Sequence, residues 1–303
     1  MLQAVKTFSS GDAPLVPYES ARFMYEEKIE RIQSMIPRYN EIEIKHLKIN
    51  RVGSVDDSGM IALGLHKGVR LHQTYRVTLN GLIETDERRE VRHLEKDRNE
   101  SQRLPERYTE VKAIWDKTPF DIAGSDNILG YSGSFKVDSN DLTVPVIEAE
   151  ESALSYYGAT LINLNELVEF DDDQYPIWAM SLGTNYVQGC LMQERGFYLE
   201  YHHDKPHFHM PLSEEAGGCY LLAKRVGEVD SLSAKHLYHI TGFKIPYGKA
   251  VYTYKSTIHC DAALTGKLWM VGYTNAEDFS TVLVHTRDDQ KASISFESFC
   301  SDT

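Results

Sequence analysis

A chain of 303 residues with 45 acidic against 32 basic side chains, net charge −13, is long enough for a sizeable core and too acidic for a nucleic-acid or polybasic membrane surface. Its 42% hydrophobic and 25% charged content is that of an ordinary globular protein, and no apolar run approaches the ~20 residues of a membrane span. Four widely spaced cysteines (Cys190, Cys219, Cys260, Cys300) suit free thiols, not a disulfide framework or zinc ribbon, and the N-terminus has no signal-peptide core, so a cytoplasmic location is expected.

In chain order, Phe23, Ile29, Ile32 and Ile36 recur at helical spacing, which predicts an amphipathic helix over 18–36 that Pro37 ends. E-I-E-I-K-H-L-K-I at 41–49 alternates like a strand, and 59–66 and 70–79 also read as strands before a tight turn at Asn80-Gly81. The dense mixed charge of 84–106 predicts a solvated helix or mobile loop. Short helices are expected at 147–157 and at 163–170, ahead of Asp171-Asp172-Asp173. From about 175 short apolar stretches separated by turn residues recur, among them Y-V-Q-G-C-L-M, G-F-Y-L-E-Y and L-W-M-V-G-Y, the pattern of a β-sandwich or barrel. The expected organisation is mainly β: an α+β region over 1–170 and a β-barrel over 171–303, either as two domains or as one elaborated unit.

Four of the twelve histidines fall in Y-H-H-D-K-P-H-F-H-M-P, residues 201–211. In a strand, residues two apart share a face, so His207 and His209 aim two imidazoles into one space. Imidazole is a common ligand for divalent transition metals. Glu214 lies five residues after His209, Asp204 precedes the pair, and His259 in T-I-H-C-D is a third imidazole on a later strand. Cys260, adjacent to His259, would face the opposite side and reads as core. Pro246 and Gly248 are suited to a tight turn. A histidine-rich exposed hairpin is the competing reading of 202–209.

These two blocks resemble the paired motifs of the cupin superfamily: H-x-H followed by a glutamate (His207, His209, Glu214), then G…P-x-G…H (Gly242, Pro246, Gly248, His259). The resemblance covers roughly 196–275, about a quarter of the chain, with ten residues between Gly248 and His259 where cupins have fewer. It implies a jelly-roll barrel in which three histidines and a glutamate hold one divalent metal. His203 is a further ligand candidate, Pro206 making strand parity across it unreliable. Asp204, Tyr254, Lys255 and Asp261 are candidate catalytic groups.

A second parsing takes His202-x-Asp204 with His259 as the facial triad of Fe(II)/2-oxoglutarate oxygenases. There Lys267 is the basic residue available to anchor the cosubstrate. The expected function is a metal-dependent enzyme on a small organic substrate, with an Fe(II) dioxygenase favoured and Mn, Ni or Zn as alternatives. Isomerase or lyase chemistry and a non-catalytic ligand-binding barrel are the other readings. No nucleic-acid or membrane partner is expected, and the first 170 residues would shape the substrate entrance or a homodimer contact.

Overall fold

The computed structural model describes residues 60–118, 132–172, 175–182, 198–261, 263–272, 279–288 and 292–298. The helix expected over 18–36, the strand over 41–49 and the stretch at 186–192 lie outside them. The described residues are mostly β, and none of their helices is long and apolar enough to cross a membrane.

The largest sheet closes on itself. Strand β14 (Tyr220–Asp230) pairs on one side with β17 (Ile258–Cys260) and on the other with β15 (Lys235–Lys244). The path continues from β17 through β11 (Tyr198–His202), β19 (Phe279–Thr286), β6 (Ser132–Val137) and β5 (Thr109–Asp116) back to β15, so seven strands form a barrel. Each ring strand contributes to one apolar cluster that includes Val111, Phe135, Leu199, Leu221, Tyr238, Cys260 and Val282, which therefore fills the lumen. Strand alternation explains this. In T-E-V-K-A-I-W-D of β5, Val111 and Ala113 are buried while Glu110 and Lys112 are exposed. β7 (Asp141–Glu148) and β20 (Ser293–Ser298) extend the sheet from the far half of β15.

A second sheet runs β1 (Met60–Val69), β10 (Tyr175–Leu182), β18 (Leu264–Gly272), β12 (His207–Pro211), β16 (Lys249–Thr253) and β8 (Ala159–Asn163), with β13 (Gly217–Gly218) attached to β18. Its inner face packs Leu161, Val251, Trp269 and Val271 onto Tyr220 and Leu222 of the barrel wall. Its outer face carries Phe208, Met210, Tyr252 and Met270, and these meet Tyr75, Val77, Leu82 and Phe170 of a small third layer. That layer is β3 (Gly81–Thr85), β2 (Thr74–Thr78), β9 (Leu167–Glu169) and β4 (Val91–His93). Two of the seven ring strands, β5 and β6, come from before residue 170, so the regions on either side of 170 share one sheet.

Three local expectations change. The helix expected at 163–170 is a turn followed by β9. Glu166 turns its carboxylate back onto the Asn163 amide at 2.9 Å, Asn165 adopts a left-handed φ of 66°, and Leu167 and Val168 bury between β2 and β4. The charged run 84–106 is not a helix: it holds β4 between largely exposed turns, and part of its charge is paired. Arg92, on β4, meets Glu166 at 3.0 Å and Glu151 at 3.3 Å, and Glu95 accepts from the Tyr252 hydroxyl at 2.8 Å. The hairpin turn falls at Leu79-Asn80, with Gly81 (φ 101°) opening β3. The helix expected at 147–157 is α1 (Glu151–Tyr157), after β7 ends.

Candidate metal centre

Three strands each carry a pair of polar residues two apart: Glu200 and His202 on β11, His207 and His209 on β12, His259 and Asp261 at the end of β17. All six are buried. Period-two geometry aims each pair to one side. Leu199 and Cys260 take the lumen side of the barrel wall, so Glu200, His202, His259 and Asp261 face outward to the second sheet. From that sheet, His209 sits opposite Val251 and Val271, members of its inner face, and His207 shares that face. The site is thus the polar continuation of the inter-sheet core.

The chain between β11 and β12 crosses from one sheet to the other at Pro206, whose carbonyl accepts from the Tyr175 hydroxyl at 2.9 Å. That crossing brings His202 and His207 face to face, Nδ1 to Nε2 at 3.0 Å. The ten residues between Gly248 and His259 are accounted for in the same way. Gly248 (φ 81°) closes a turn in which the Lys249 amide donates to the Pro246 carbonyl at 3.0 Å; β16 then runs beside β12, and a turn at 254–257 carries the chain back to the barrel wall as β17.

One ligand atom from each of His202, His207 and His259 lies within 4.8 Å of the others. Nitrogens about 2.1 Å from a shared tetrahedral ion would sit about 3.4 Å apart, so a closure of about an ångström would seat one. The His259 ring is prepared for this. Its Nδ1 is 2.9 Å from the Thr257 carbonyl, which can only accept, so Nδ1 carries the proton and Nε2 keeps its lone pair. That Nε2 is buried with no hydrogen-bond partner and points to Glu200 Oε1 at 3.7 Å. Burial pushes the His259 pKa down to about 4; the Glu200 carboxylate pulls it back and His202 lowers it further, leaving a neutral imidazole. Glu200 also stands 3.8 Å from His202 Nε2 and accepts from the Thr281 hydroxyl at 3.2 Å. Three neutral-capable imidazoles beside a buried carboxylate fit a divalent transition metal.

A second polar group adjoins the triad. His209 Nε2 is 3.5 Å from Asp261 Oδ2, the Tyr198 hydroxyl donates to Asp261 Oδ1 at 3.0 Å, and the His209 ring lies 4.6 Å from that of Tyr220. The His207 and His209 rings are parallel within 7°, centroids 5.8 Å apart.

Of the residues singled out from sequence, His207 and His259 come together, joined by His202 from the alternative parsing. His209 and Asp261 pair beside them. His203 is exposed, its Nδ1 2.8 Å from the Ser256 hydroxyl, because the wall strand turns it away from His202. Asp204 is half-buried in the crossing, outside the converging group. Glu214 and its neighbour Glu215 are exposed in a turn closed by Ala216 N–H to Ser213 O at 3.1 Å. Tyr254 follows Tyr252 onto the opposite face of the second sheet, packed with Tyr252 and under Arg98, and Lys255 pairs with Asp172 at 3.4 Å. Lys267 lies on β18, its side chain outside the described set. Glu200 was missed, although E-Y-H and H-C-D repeat the period-two signal of H-F-H. Cys219 and Cys260 are buried and not disulfide-bonded.

No protein-family model matches the chain, and a search of curated proteins returns no relative. Fold and site define a mostly β protein with a closed seven-stranded barrel and a buried histidine triad that could bind a metal ion.

Proposed function

We propose that this protein is a metal-dependent enzyme acting on a small organic molecule, with His202, His207 and His259 as metal ligands and Glu200 as the adjacent carboxylate. The observation that carries this reading is the convergence of three buried imidazoles from two facing sheets. Fe(II) is the favoured ion and dioxygenation the favoured reaction, since a nitrogen and oxygen donor set on one side of an ion leaves positions for both substrate and O2. When bound, such an ion would supply a Lewis acid and one-electron chemistry. The chain's own contribution is to keep His259 neutral, to orient the imidazoles, and to bury them between the sheets beside the Glu200 carboxylate. The cupin resemblance agrees with this reading at His207 and His259; it departs at His209 and Glu214, which do not join the triad, and in placing the ion inside the barrel and not between the sheets.

The test is elemental analysis of untagged protein purified without chelator, with oxygen uptake as the second readout. Near-stoichiometric iron is expected, lost in His202→Ala, His207→Ala and His259→Ala and kept in His209→Ala. Metal lost in His209→Ala but retained in His202→Ala would overturn the ligand assignment. Zinc, nickel or manganese in place of iron would move the chemistry to isomerase or lyase type, and no metal after reconstitution would leave a ligand-binding barrel.

A further inference from the structure

One end of the barrel, where β11 finishes and β17 begins, opens into a cavity of about 530 Å³, within the range of small-molecule sites. Its walls include the aromatic rings of Trp115, Tyr201 and Tyr238. The Trp115 and Tyr201 centroids are 5.2 Å apart, Trp115 also packs against Phe135 at 5.8 Å, and its indole N–H donates to the Ser280 hydroxyl at 3.0 Å, so the aromatic wall is held rigid. The charged lining runs against the character of the chain. In a protein of net charge −13, Arg98, Lys117, Lys224 and Arg225 line the cavity, and among the described residues no Asp or Glu lines it. Arg98 is partnered by Glu100 at 2.8 Å. Among the described residues, Lys117, Lys224 and Arg225 have no carboxylate within ion-pair distance; Lys117 stands 5.3 Å over the Tyr201 ring and Lys224 4.3 Å over that of Tyr156.

The cavity is separate from the metal centre. Tyr201, His203 and Ile258, which alternate along β11 and β17 with His202 and His259, line it from one face of the wall, and Tyr157, Lys224 and Thr257 reach it from the other, so the cavity caps the end of the wall, with none of His202, His207 and His259 among its lining residues.

We infer that this cavity is a second binding site, for a planar organic anion whose ring lies against Trp115 and Tyr201 and whose carboxylate or phosphate is held by Lys117, Lys224 and Arg225. Aromatic walls recognise a flat ring, and the cations at the mouth, Lys224 half-buried and Lys117 and Arg225 exposed, recognise its charge.

Calorimetric titrations with adenosine monophosphate and indole-3-carboxylate, each beside its uncharged counterpart (adenosine, indole), test this, and inorganic phosphate serves as competitor. At least one anion is expected to bind below about 1 mM and to outbind its neutral counterpart about tenfold. Affinity should fall about tenfold in Lys224→Glu and in Arg225→Glu and more in the double variant, while His207→Ala leaves it unchanged. Adenosine monophosphate competed by phosphate would assign a phosphate ligand; indole-3-carboxylate alone would assign a carboxylate. Absence of binding by both anions, equal affinity in the charge-reversed variants, or loss of binding in His207→Ala with Lys224→Glu unaffected would overturn the site.

Discussion

One backbone carbonyl decides what His259 can do. By accepting from Nδ1, Thr257 fixes the tautomer that aims the Nε2 lone pair into the cluster. Burial then holds the ring's pKa near 4 against about 6.5 in an unfolded chain. Above pH 6.5 the ring is neutral in both states. As pH falls below 6.5 the unfolded chain takes up a proton that the folded one refuses, and stability is lost until pH passes about 4. Chelator-treated protein should therefore lose on the order of 3 kcal/mol of unfolding free energy across that window through this group. Urea titrations should show a shallower pH dependence in His259→Gln; an unchanged slope would mean that the ring is not buried neutral. Glu200→Gln removes the carboxylate facing His202 and His259 and should weaken metal affinity about 10- to 100-fold with the fold intact, measured by competition with a chromophoric chelator. At this scale the sequence was half legible. H-x-H parity found His207, and T-I-H-C-D found His259 and placed Cys260 in the core. Parity fails across Pro206, so local pattern favoured His203 and His209 over His202, and Glu200 passed as an ordinary strand residue.

Elements deliver these side chains, and the helix cap is the clearest case. Gly158 ends α1 at φ 93°, and its carbonyl accepts from the Tyr254 amide at 3.0 Å and the Thr257 hydroxyl at 2.8 Å. The turn that launches β17 is therefore anchored on the helix end. A Cβ at 158 would lie 2.6 Å from Thr257 Oγ1 in a conformation that alanine resists. Gly158→Ala should cost about 1–2 kcal/mol of stability from backbone conformation alone and also lower metal occupancy by displacing His259. Gly248→Ala, at φ 81° in the preceding turn, should cost a similar amount and leave occupancy alone. Thermal melts paired with metal analysis separate the two, and equal occupancy would sever the cap from the site. The helix at α1 and the strand run after 175 were readable from period and punctuation. The strand at β9 was not, because its neighbourhood at 163–170 carries the helix formers Leu164, Glu166, Leu167 and Glu169 and only its burial between β2 and β4 selects the extended form.

For the molecule as a whole, the metal centre lies between two sheets, so an ion held there joins the barrel wall to the second sheet. Binding to the folded state alone raises stability by mass action. Chelation should lower the melting temperature of the wild type and leave that of His259→Ala unmoved in scanning calorimetry; equal shifts would place the ion elsewhere. Composition and recurring short strands made the β class legible. Closure was not, because β5 and β6 pair locally with each other while their other ring partners, β15 and β19, lie more than a hundred residues away, and no local period encodes such pairing.

That closure has a consequence for how the chain is made. β6 finds its parallel neighbour only when Thr281 through Thr286 have emerged to pair with 132–137. Until then both β6 and β11 present open edges, the template for pairing with other chains. During vectorial synthesis the early staves must wait, and long-range strand pairing is slow. A chain stopped at residue 278 should consequently sediment as aggregate, whereas one stopped after β19 should remain dispersed. The segment most in need of a chaperone is then the early half of the barrel wall.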